Sequence, residues 1–143
     1  MAKYCIAYLS TAIVFLGLDG VWLSLTQASL YKPALGPLLA VTPSLAPAAL
    51  FYLIYFVGVV FFCVGPALRA NAWRTALVNG LLFGLCAYAT YDLTNQATLR
   101  IWSSRVTVFD LMWGAAVTAV SATASVFITR LLVRATGGQA QRG

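Results

Sequence analysis

The fold is decided by the stretch from Tyr4 to Leu25, which reads YCIAYLSTAIVFLGLDGVWLSL. Its only charged residue is Asp19. As an α-helix it would be roughly 33 Å long, which spans a bilayer's hydrocarbon core of about 30 Å. A cleaved signal peptide ending near Thr26-Gln27-Ala28 is the alternative, but the run is long for that role and Asp19 would be unusual in it. The stretch therefore predicts a membrane-spanning helix, here helix 1.

Three further apolar stretches follow, separated by polar or proline-containing connections. They are predicted as helices 2, 3 and 4, at about 44–68, 74–92 and 106–133. The chain is 62% hydrophobic and 8% charged, too apolar for a water-soluble core of 143 residues. The sequence thus predicts an all-α, polytopic membrane protein with a four-transmembrane-helix bundle. This single transmembrane domain would cover residues 1–143, with a short disordered tail from about residue 135.

Two prolines make specific predictions for helix 2. Thr42 followed by Pro43 is typical of an N-cap with proline at the first helical position, so the helix should begin there. Pro66, near the other end, should bend or terminate it.

The distribution of Lys and Arg predicts the orientation of the helices. If four helices are crossed, six basic residues fall on one side and three on the other, and the side with more of them is cytoplasmic. Both termini should therefore be cytoplasmic. The larger group is Lys3, Arg69, Arg74, Arg130, Arg134 and Arg142, and the smaller one is Lys32, Arg100 and Arg105.

Several kinds of site are excluded by residues that the sequence lacks. There is no histidine, which removes His-ligated haem, histidine-box di-iron sites and His-based acid–base chemistry. Neither a Gly-rich phosphate loop nor a Gly-x-Ser-x-Gly elbow occurs, and there is no soluble domain for nucleic-acid binding. Cys5, Cys63 and Cys86 have no metal-ligand spacing and are predicted to be packing residues within the helices. The sequence therefore predicts no metal site and no cofactor.

All three acidic residues, Asp19, Asp92 and Asp110, lie within or at the end of a predicted helix. An Asp near the bilayer centre costs about 2.5 to 3.5 kcal/mol on insertion scales, and such residues usually face a bundle interior and carry function. Counted from the cytoplasmic helix ends, the three lie roughly 22 to 30 Å up the bundle. They should therefore share the outer half of the membrane.

Aromatic and amide residues surround these acids. Trp22 lies one turn from Asp19 and Trp113 one turn from Asp110, so the pattern Asp-x-x-Trp occurs twice. The tryptophans could equally form part of an interfacial aromatic belt. The predicted ligand-binding residues are Asp19, Trp22, Tyr88, Tyr91, Asp92, Thr94, Asn95, Asp110 and Trp113.

Each acid also has a structural explanation. Asp110 opens the predicted helix 4, where a carboxylate can cap backbone N–H groups. Asp92 closes the predicted helix 3, where Arg100 or Arg105 can form an ion pair with it. Asp19 is the hardest to explain in this way, because it is interior to its helix and has no basic residue within two turns.

Small residues line one face of two helices. Gly80 and Gly84 follow Ala76 at four-residue spacing in helix 3, and Gly114 precedes Thr118 and Ala122 in helix 4. Such faces let helices approach closely. Both a contact within one bundle and a contact between copies fit this pattern.

The chain resembles a bacterial family of small predicted inner-membrane proteins, catalogued as domain of unknown function 2177. The resemblance covers nearly the whole chain and implies a four-helix protein of the bacterial inner membrane, but it supplies no activity, substrate or cofactor that could be carried over to this chain. It is carried by Leu18-Asp19-Gly20-Val21-Trp22-Leu23, the predicted outer loop Tyr31-Lys32-Pro33-Ala34-Leu35-Gly36, Tyr88-Ala89-Thr90-Tyr91-Asp92-Leu93-Thr94-Asn95 and Asp110-Leu111-Met112-Trp113-Gly114.

Three functions fit these observations. The leading hypothesis is binding or transport of a proton, a cation or a small amine or lipid ligand at the aspartates, as an analogy with small multidrug exporters would suggest. The second is a lipid-modifying enzyme that uses Asp19 and Asp110 as acid and base, although the sequence offers no nucleophile. The third is an accessory subunit of a membrane complex. The expected partners are membrane lipids and either a second copy or another membrane protein.

Overall fold

The structure is a computed structural model that describes residues 2–139, with side chains described to residue 135. Four helices are long and apolar enough to cross a membrane, and no strand occurs in the described part of the chain. The predicted all-α, four-helix membrane fold is therefore confirmed. Helix 1 is Ala2–Leu38, helix 2 is Leu45–Arg69, helix 3 is Trp73–Thr98, and helix 4 is Ser104–Gln139.

The four helices form a bundle in which sequence neighbours lie side by side. Helix 4 packs closely against helix 3 and, on its other side, against helix 1, while helix 2 contacts helices 1 and 3. The connections at 39–44, 70–72 and 99–103 are short, so consecutive helices run antiparallel. One end, which we call the basic end, carries Lys3, Arg69, Arg74, Arg130 and Arg134. The predicted contribution of Arg142 to this end lies outside the described residues.

Helix 1 is longer than predicted, because the expected outer loop at 31–36 is itself helical. A π-helical turn at Gln27–Tyr31 leads into a short α-helix at Lys32–Leu35 and a 3-10 turn at Gly36–Leu38. Pro33 lacks the backbone N–H that an α-helix would need at that position. The wider π turn just before it accommodates the proline, so that the helix continues. The proline therefore modifies the helix without ending it.

Helix 2 passes Pro66 in the same way, so the proline does not terminate it. A π turn at Val60–Val64 comes before Gly65 and Pro66. The carbonyl of Phe62, which a proline four residues later cannot reach with an N–H, accepts a hydrogen bond of 2.8 Å from Asn79 Nδ2 of helix 3. A side chain of the neighbouring helix thus replaces the missing backbone donor.

Both ends of helix 2 are set by local backbone geometry. The predicted start at Thr42 is wrong: the helix begins at Leu45 after an extended Ser44, and Pro47 occupies its first turn, where no backbone donor is required. At the far end Asn71 has a φ of 52°, and the N–H of Ala72 donates to the carbonyl of Ala67 at 3.1 Å. This is a Schellman-type end, which fixes the tight turn into helix 3.

Helices 3 and 4 are also longer than predicted, and this moves two of the acids. Helix 3 continues to Thr98 and helix 4 already begins at Ser104. Asp92 therefore does not end helix 3, Asp110 does not begin helix 4, and both are interior to their helices. Helix 4 runs on to Gln139, five residues into the predicted disordered tail, because adding a residue to a formed helix costs far less than starting one. The rest of that tail lies outside the described residues.

The apolar core is centred on Phe15, whose ring meets Tyr55 and Phe56 edge-on at centroid distances of 5.4 Å. Cys63 is buried in this cluster. Cys5 and Cys86 are exposed, because they lie on the outward faces of their helices. The packing role predicted for all three cysteines therefore holds for Cys63 alone.

Helices 3 and 4 meet at three glycines within one bundle. A Cβ atom at Gly80 would lie 2.7 Å from the Cα of Ala119, and one at Gly84 would overlap the carbonyl of Gly114. The ring of Tyr88 occupies the space that a Cβ at Gly114 would need. This close approach positions Tyr88 and Asp92, further along the same face of helix 3, against helix 4.

Candidate functional site

Three buried aspartates from three helices form the centre of the candidate site. Asp19 of helix 1 and Asp110 of helix 4 are each 7% exposed, and Asp92 of helix 3 is 0% exposed. Asp110 is close enough to both of the others for their charges to interact. The half of the bundle that holds these three residues is here called the aspartate half.

Asp19 has hydrogen-bond donors on both carboxylate oxygens. The hydroxyl of Tyr52 in helix 2 donates to Oδ2 at 2.6 Å, and the indole N–H of Trp113 in helix 4 donates to Oδ1 at 3.1 Å. Asp19 therefore links helix 1 to two other helices, and these donors satisfy both of its carboxyl oxygens.

Asp110 has one donor. The hydroxyl of Tyr31 donates to Oδ1 of Asp110. Tyr31 lies in the part of helix 1 that extends beyond the predicted end. The indole N–H of Trp22 in turn donates to the Tyr31 hydroxyl at 3.0 Å. The second oxygen, Oδ2, accepts no hydrogen bond from the described residues, and Asp110 lines an open cavity.

The two Asp-x-x-Trp patterns face each other across helices 1 and 4. The rings of Trp22 and Trp113 stack with a centroid distance of 4.5 Å and an interplanar angle of 7°. Each tryptophan is linked by hydrogen bonds to the aspartate of the opposite helix. Trp113 donates directly to Asp19, and Trp22 donates to Tyr31, which in turn donates to Asp110. The repeat that the sequence contains is thus one structural unit, in which two antiparallel helices exchange hydrogen bonds.

Asp92 differs from the other two because it has no partner. Both of its carboxylate oxygens are buried and accept no hydrogen bond. The predicted ion pair with Arg100 or Arg105 is wrong, because neither guanidinium reaches these oxygens and helix 3 extends past them to Thr98. A buried, unpartnered carboxyl group is uncommon in folded proteins and calls for a physical explanation.

A small hydrogen-bonded cluster closes the bundle just beyond Asp92. Gln96, one turn further along helix 3, accepts a bond of 2.8 Å from the Thr107 hydroxyl and donates one of 3.0 Å to that of Ser104. Trp102 donates its indole N–H to Thr107 at 3.0 Å. These bonds join the end of helix 3 to the start of helix 4.

A cavity of about 340 Å³ lies beside Asp110. It opens between helices 2, 3 and 4, and aromatic rings form most of its wall. Its lining consists of Phe51, Ala87, Tyr88, Tyr91 and Asp110. A negative group surrounded by aromatic faces is suited to an organic cation.

The remaining predicted residues divide into two groups. Tyr88 and Tyr91 line the cavity, and Tyr91 also meets Trp102 edge-on at 5.7 Å. Thr94 is exposed, and its hydroxyl donates to the backbone carbonyls of Thr90 and Tyr91. Asn95 is half-buried, and its amide bonds to no side chain in the described part of the chain. These last two residues are therefore not brought to the cavity.

Sequence reasoning missed three residues of the site. Tyr52 and Phe51 lie in the apolar run of helix 2, and Tyr31 lay in a predicted loop. The available signal for Tyr52 was chemical, since a tyrosine hydroxyl inside a membrane helix needs a partner. No such signal existed for Tyr31, whose role depends on helix 1 continuing through it.

No group of three or more His, Cys, Asp or Glu side chains in the described residues is arranged to hold a metal ion. In a comparison with known proteins, a family model described as predicted membrane protein, DUF2177, matches residues 4–127. No curated protein and no solved structure matches the chain.

Proposed function

This chain belongs to the family of predicted membrane proteins described as DUF2177, and we propose that it binds a small organic cation beside Asp110 and releases a proton from Asp92 in exchange. Replacing a proton by a cation in this way is the step that a proton-coupled transporter requires. The same chemistry would serve a membrane protein that binds the cation without moving it.

The observation that carries the proposal is the environment of Asp92. An isolated carboxylate anion in an apolar interior is too costly to persist without a partner. Because both oxygens of Asp92 are buried and accept no hydrogen bond, the group must hold a proton or a cation. The ring of Tyr88 packs on Gly114, and Asp92 and Asp110 each lie one helical turn from that contact, towards the same end of the antiparallel helices 3 and 4. A positive charge that arrives at Asp110 therefore favours loss of the proton from Asp92.

The cavity supports an ammonium-type ligand in particular. Its volume of about 340 Å³ is at the lower end of the range of small-molecule sites, about 300 to 1,000 Å³. Phe51, Tyr88 and Tyr91 offer ring faces, and Asp110 offers a carboxylate oxygen that no described residue occupies. Alkylammonium groups bind well to this combination of aromatic faces and an anion.

The two alternative functions receive less support from the geometry. A lipid-modifying enzyme would need Asp19 and Asp110 to face one substrate group, but Tyr52 and Trp113 occupy both oxygens of Asp19. An accessory subunit would use the aspartates to hold its own fold or to dock a partner. Asp19 fits the first role, whereas Asp92, which is unpartnered and 0% exposed, fits neither.

We also propose that the protein lies in the bacterial inner membrane with both termini in the cytoplasm. The support is the excess of Lys and Arg at the basic end over the other end, where Lys32, Arg100 and Arg105 stand. In this orientation the cavity beside Asp110 is in the outer half of the membrane.

The experiment compares choline with 3,3-dimethyl-1-butanol, which has nearly the same shape but no charge. Binding to purified protein in a non-ionic detergent would be measured by calorimetry for wild type, Asp110→Asn and Asp19→Asn. We expect wild type to bind choline but not the alcohol, and Asp110→Asn to lose about tenfold or more in affinity. Asp19→Asn, assayed below its unfolding temperature, should retain binding.

Equal binding of the alcohol and choline, or an unchanged affinity in Asp110→Asn, would show that Asp110 is not the counterion. If choline, tetraethylammonium and spermidine all fail to bind wild type, the accessory-subunit hypothesis should replace this one.

A further inference from the structure

The basic end of the bundle contains a second cavity, of about 170 Å³, between helices 1, 2 and 4. Three of its six lining residues are cations. The lining consists of Lys3, Leu68, Thr129, Arg130, Val133 and Arg134. Since every Asp in the chain belongs to the aspartate half, no acidic side chain neutralises these charges within the described residues.

Thr129 gives this cavity an unused hydrogen-bond donor. The residue is only 1% exposed, yet its hydroxyl has no hydrogen-bond partner. Threonine hydroxyls in membrane helices normally bond to a backbone carbonyl or to a neighbouring helix. A buried hydroxyl that lines a basic cavity without such a bond is placed to donate to an anion.

One of the cations is held in position by the backbone of helix 2. Arg130 donates from Nη2 to the carbonyl of Ala67 at 3.4 Å, the same carbonyl that ends helix 2. Lys3 lies 5.1 Å from the centre of the Tyr4 ring. The first contact fixes the Arg130 guanidinium beside helix 2, and neither contact neutralises a charge.

A groove runs along helices 1 and 2 from the basic end, and its residues Tyr4 and Arg69 directly follow Lys3 and Leu68 of the cavity in sequence. It has a volume of about 360 Å³, and Arg69 stands at its basic end. Its walls are otherwise apolar and aromatic, being formed by Tyr4, Tyr8, Val57, Val60, Phe61 and Gly65. A hydrocarbon chain attached to a phosphate in the cavity would lie along this groove.

We propose that the basic end binds an anionic phospholipid, with its phosphate among Lys3, Arg130 and Arg134 and an acyl chain in the groove along helices 1 and 2. The phosphate accepts the hydroxyl hydrogen of Thr129 and charge-assisted hydrogen bonds from the cations. The position of the cavity at the end of membrane-spanning helices and the adjoining groove assign the phosphate to a lipid and not to free phosphate.

The test measures binding of dioleoylphosphatidylglycerol to the full chain in non-ionic detergent, from the rise in thermal midpoint with lipid concentration. Dioleoylglycerol, which has the acyl chains without the phosphate, and inorganic phosphate are the comparison ligands. The variants are Thr129→Val and the double variant Lys3→Gln/Arg134→Gln, which changes two exposed residues and should fold normally. Lys32→Gln/Arg100→Gln removes two charges from the opposite end and is the matched control.

We expect phosphatidylglycerol to bind wild type and the control with similar affinity, and Thr129→Val and Lys3→Gln/Arg134→Gln to bind about tenfold more weakly. Unchanged affinity in both variants would reduce the interaction to general attraction between a basic protein and anionic lipid. Equal binding of dioleoylglycerol would overturn the phosphate site. Equal protection by inorganic phosphate would overturn the lipid assignment.

Discussion

The three aspartates differ in the number of hydrogen-bond donors that reach them. Asp19 has two donors, Asp110 has one, and Asp92 has none. A carboxylate with two donors is held in a fixed structure, whereas one without donors is free to exchange a proton or a cation. Sequence reasoning gave Asp19 the strongest case for function, and the geometry moves that case to Asp92 and Asp110.

Substitution of Asp19 should lower the free energy of unfolding more than substitution of Asp92. Asp19→Asn leaves one of the two donors, Tyr52 or Trp113, without its acceptor, and we expect it to lower the free energy of unfolding by about 1 to 3 kcal/mol. Asp92→Asn imitates the protonated acid in a place where nothing bonds to it, so the expected change is below about 1 kcal/mol. Thermal unfolding of both variants in one detergent measures the difference. Equal losses would mean that Asp92 has a structural partner.

Most residues of the site could be predicted from the sequence, but the hydrogen bonds between them could not. Intramembrane aspartates stand out because a charge is costly there, and the tryptophans one turn away follow from helical spacing. The pairing of Trp113 with Asp19, and of Trp22 with Asp110 through Tyr31, depends on how helices 1 and 4 pack. Spacing within one helix carries no information about such contacts.

Helices 1 and 2 share one structural feature, a π turn followed two residues later by a proline. Hydropathy located all four helices, because long apolar runs have no other stable form in a membrane. It misplaced their ends, since polar residues such as Gln27 and Lys32 continue the helix where the apolar run stops. The end of a membrane helix is set by its caps and turns, which are local geometry and not hydropathy.

The contact between Asn79 and the carbonyl of Phe62 can be tested as a pair with Pro66. Asn79→Ala should destabilise the protein by about 1 kcal/mol, because the carbonyl loses its donor. In a Pro66→Ala background the backbone N–H of residue 66 can supply that donor, so the same change should cost less. A double-mutant cycle of unfolding free energies measures the coupling. Equal costs in both backgrounds would separate Asn79 from the proline.

The packing of helix 3 on helix 4 gives a second prediction at this scale. Gly84→Ala places a methyl group on the carbonyl of Gly114 and should destabilise the bundle by about 1 to 3 kcal/mol. Gly17→Ala, where nothing lies within 4 Å, is the control and should be neutral or slightly stabilising. Thermal midpoints of the two variants test this. A loss at Gly17 as large as that at Gly84 would contradict the close approach.

Over the whole molecule, the three aspartates lie in one half and most of the Lys and Arg residues lie in the other. In the proposed exchange, a cationic ligand and a proton therefore compete only at the aspartates. Lower pH should therefore weaken choline binding, because protons compete for Asp92 and Asp110. The titratable groups around Asp110 are Tyr31, Tyr88, Tyr91, Asp19 and Asp92. The apparent Kd for choline, measured from pH 8 to pH 5, should rise in wild type and change less in Asp92→Asn. A Kd independent of pH in wild type would rule out competition.

The most direct test of the exchange is to count the protons released when choline binds. Calorimetry in two buffers of different ionisation enthalpy gives this number for wild type and for Asp92→Asn. If Asp92 gives up its proton when a cation occupies the cavity beside Asp110, wild type releases protons on binding and Asp92→Asn binds choline with little or no release. Equal proton release from both proteins would contradict the exchange at Asp92.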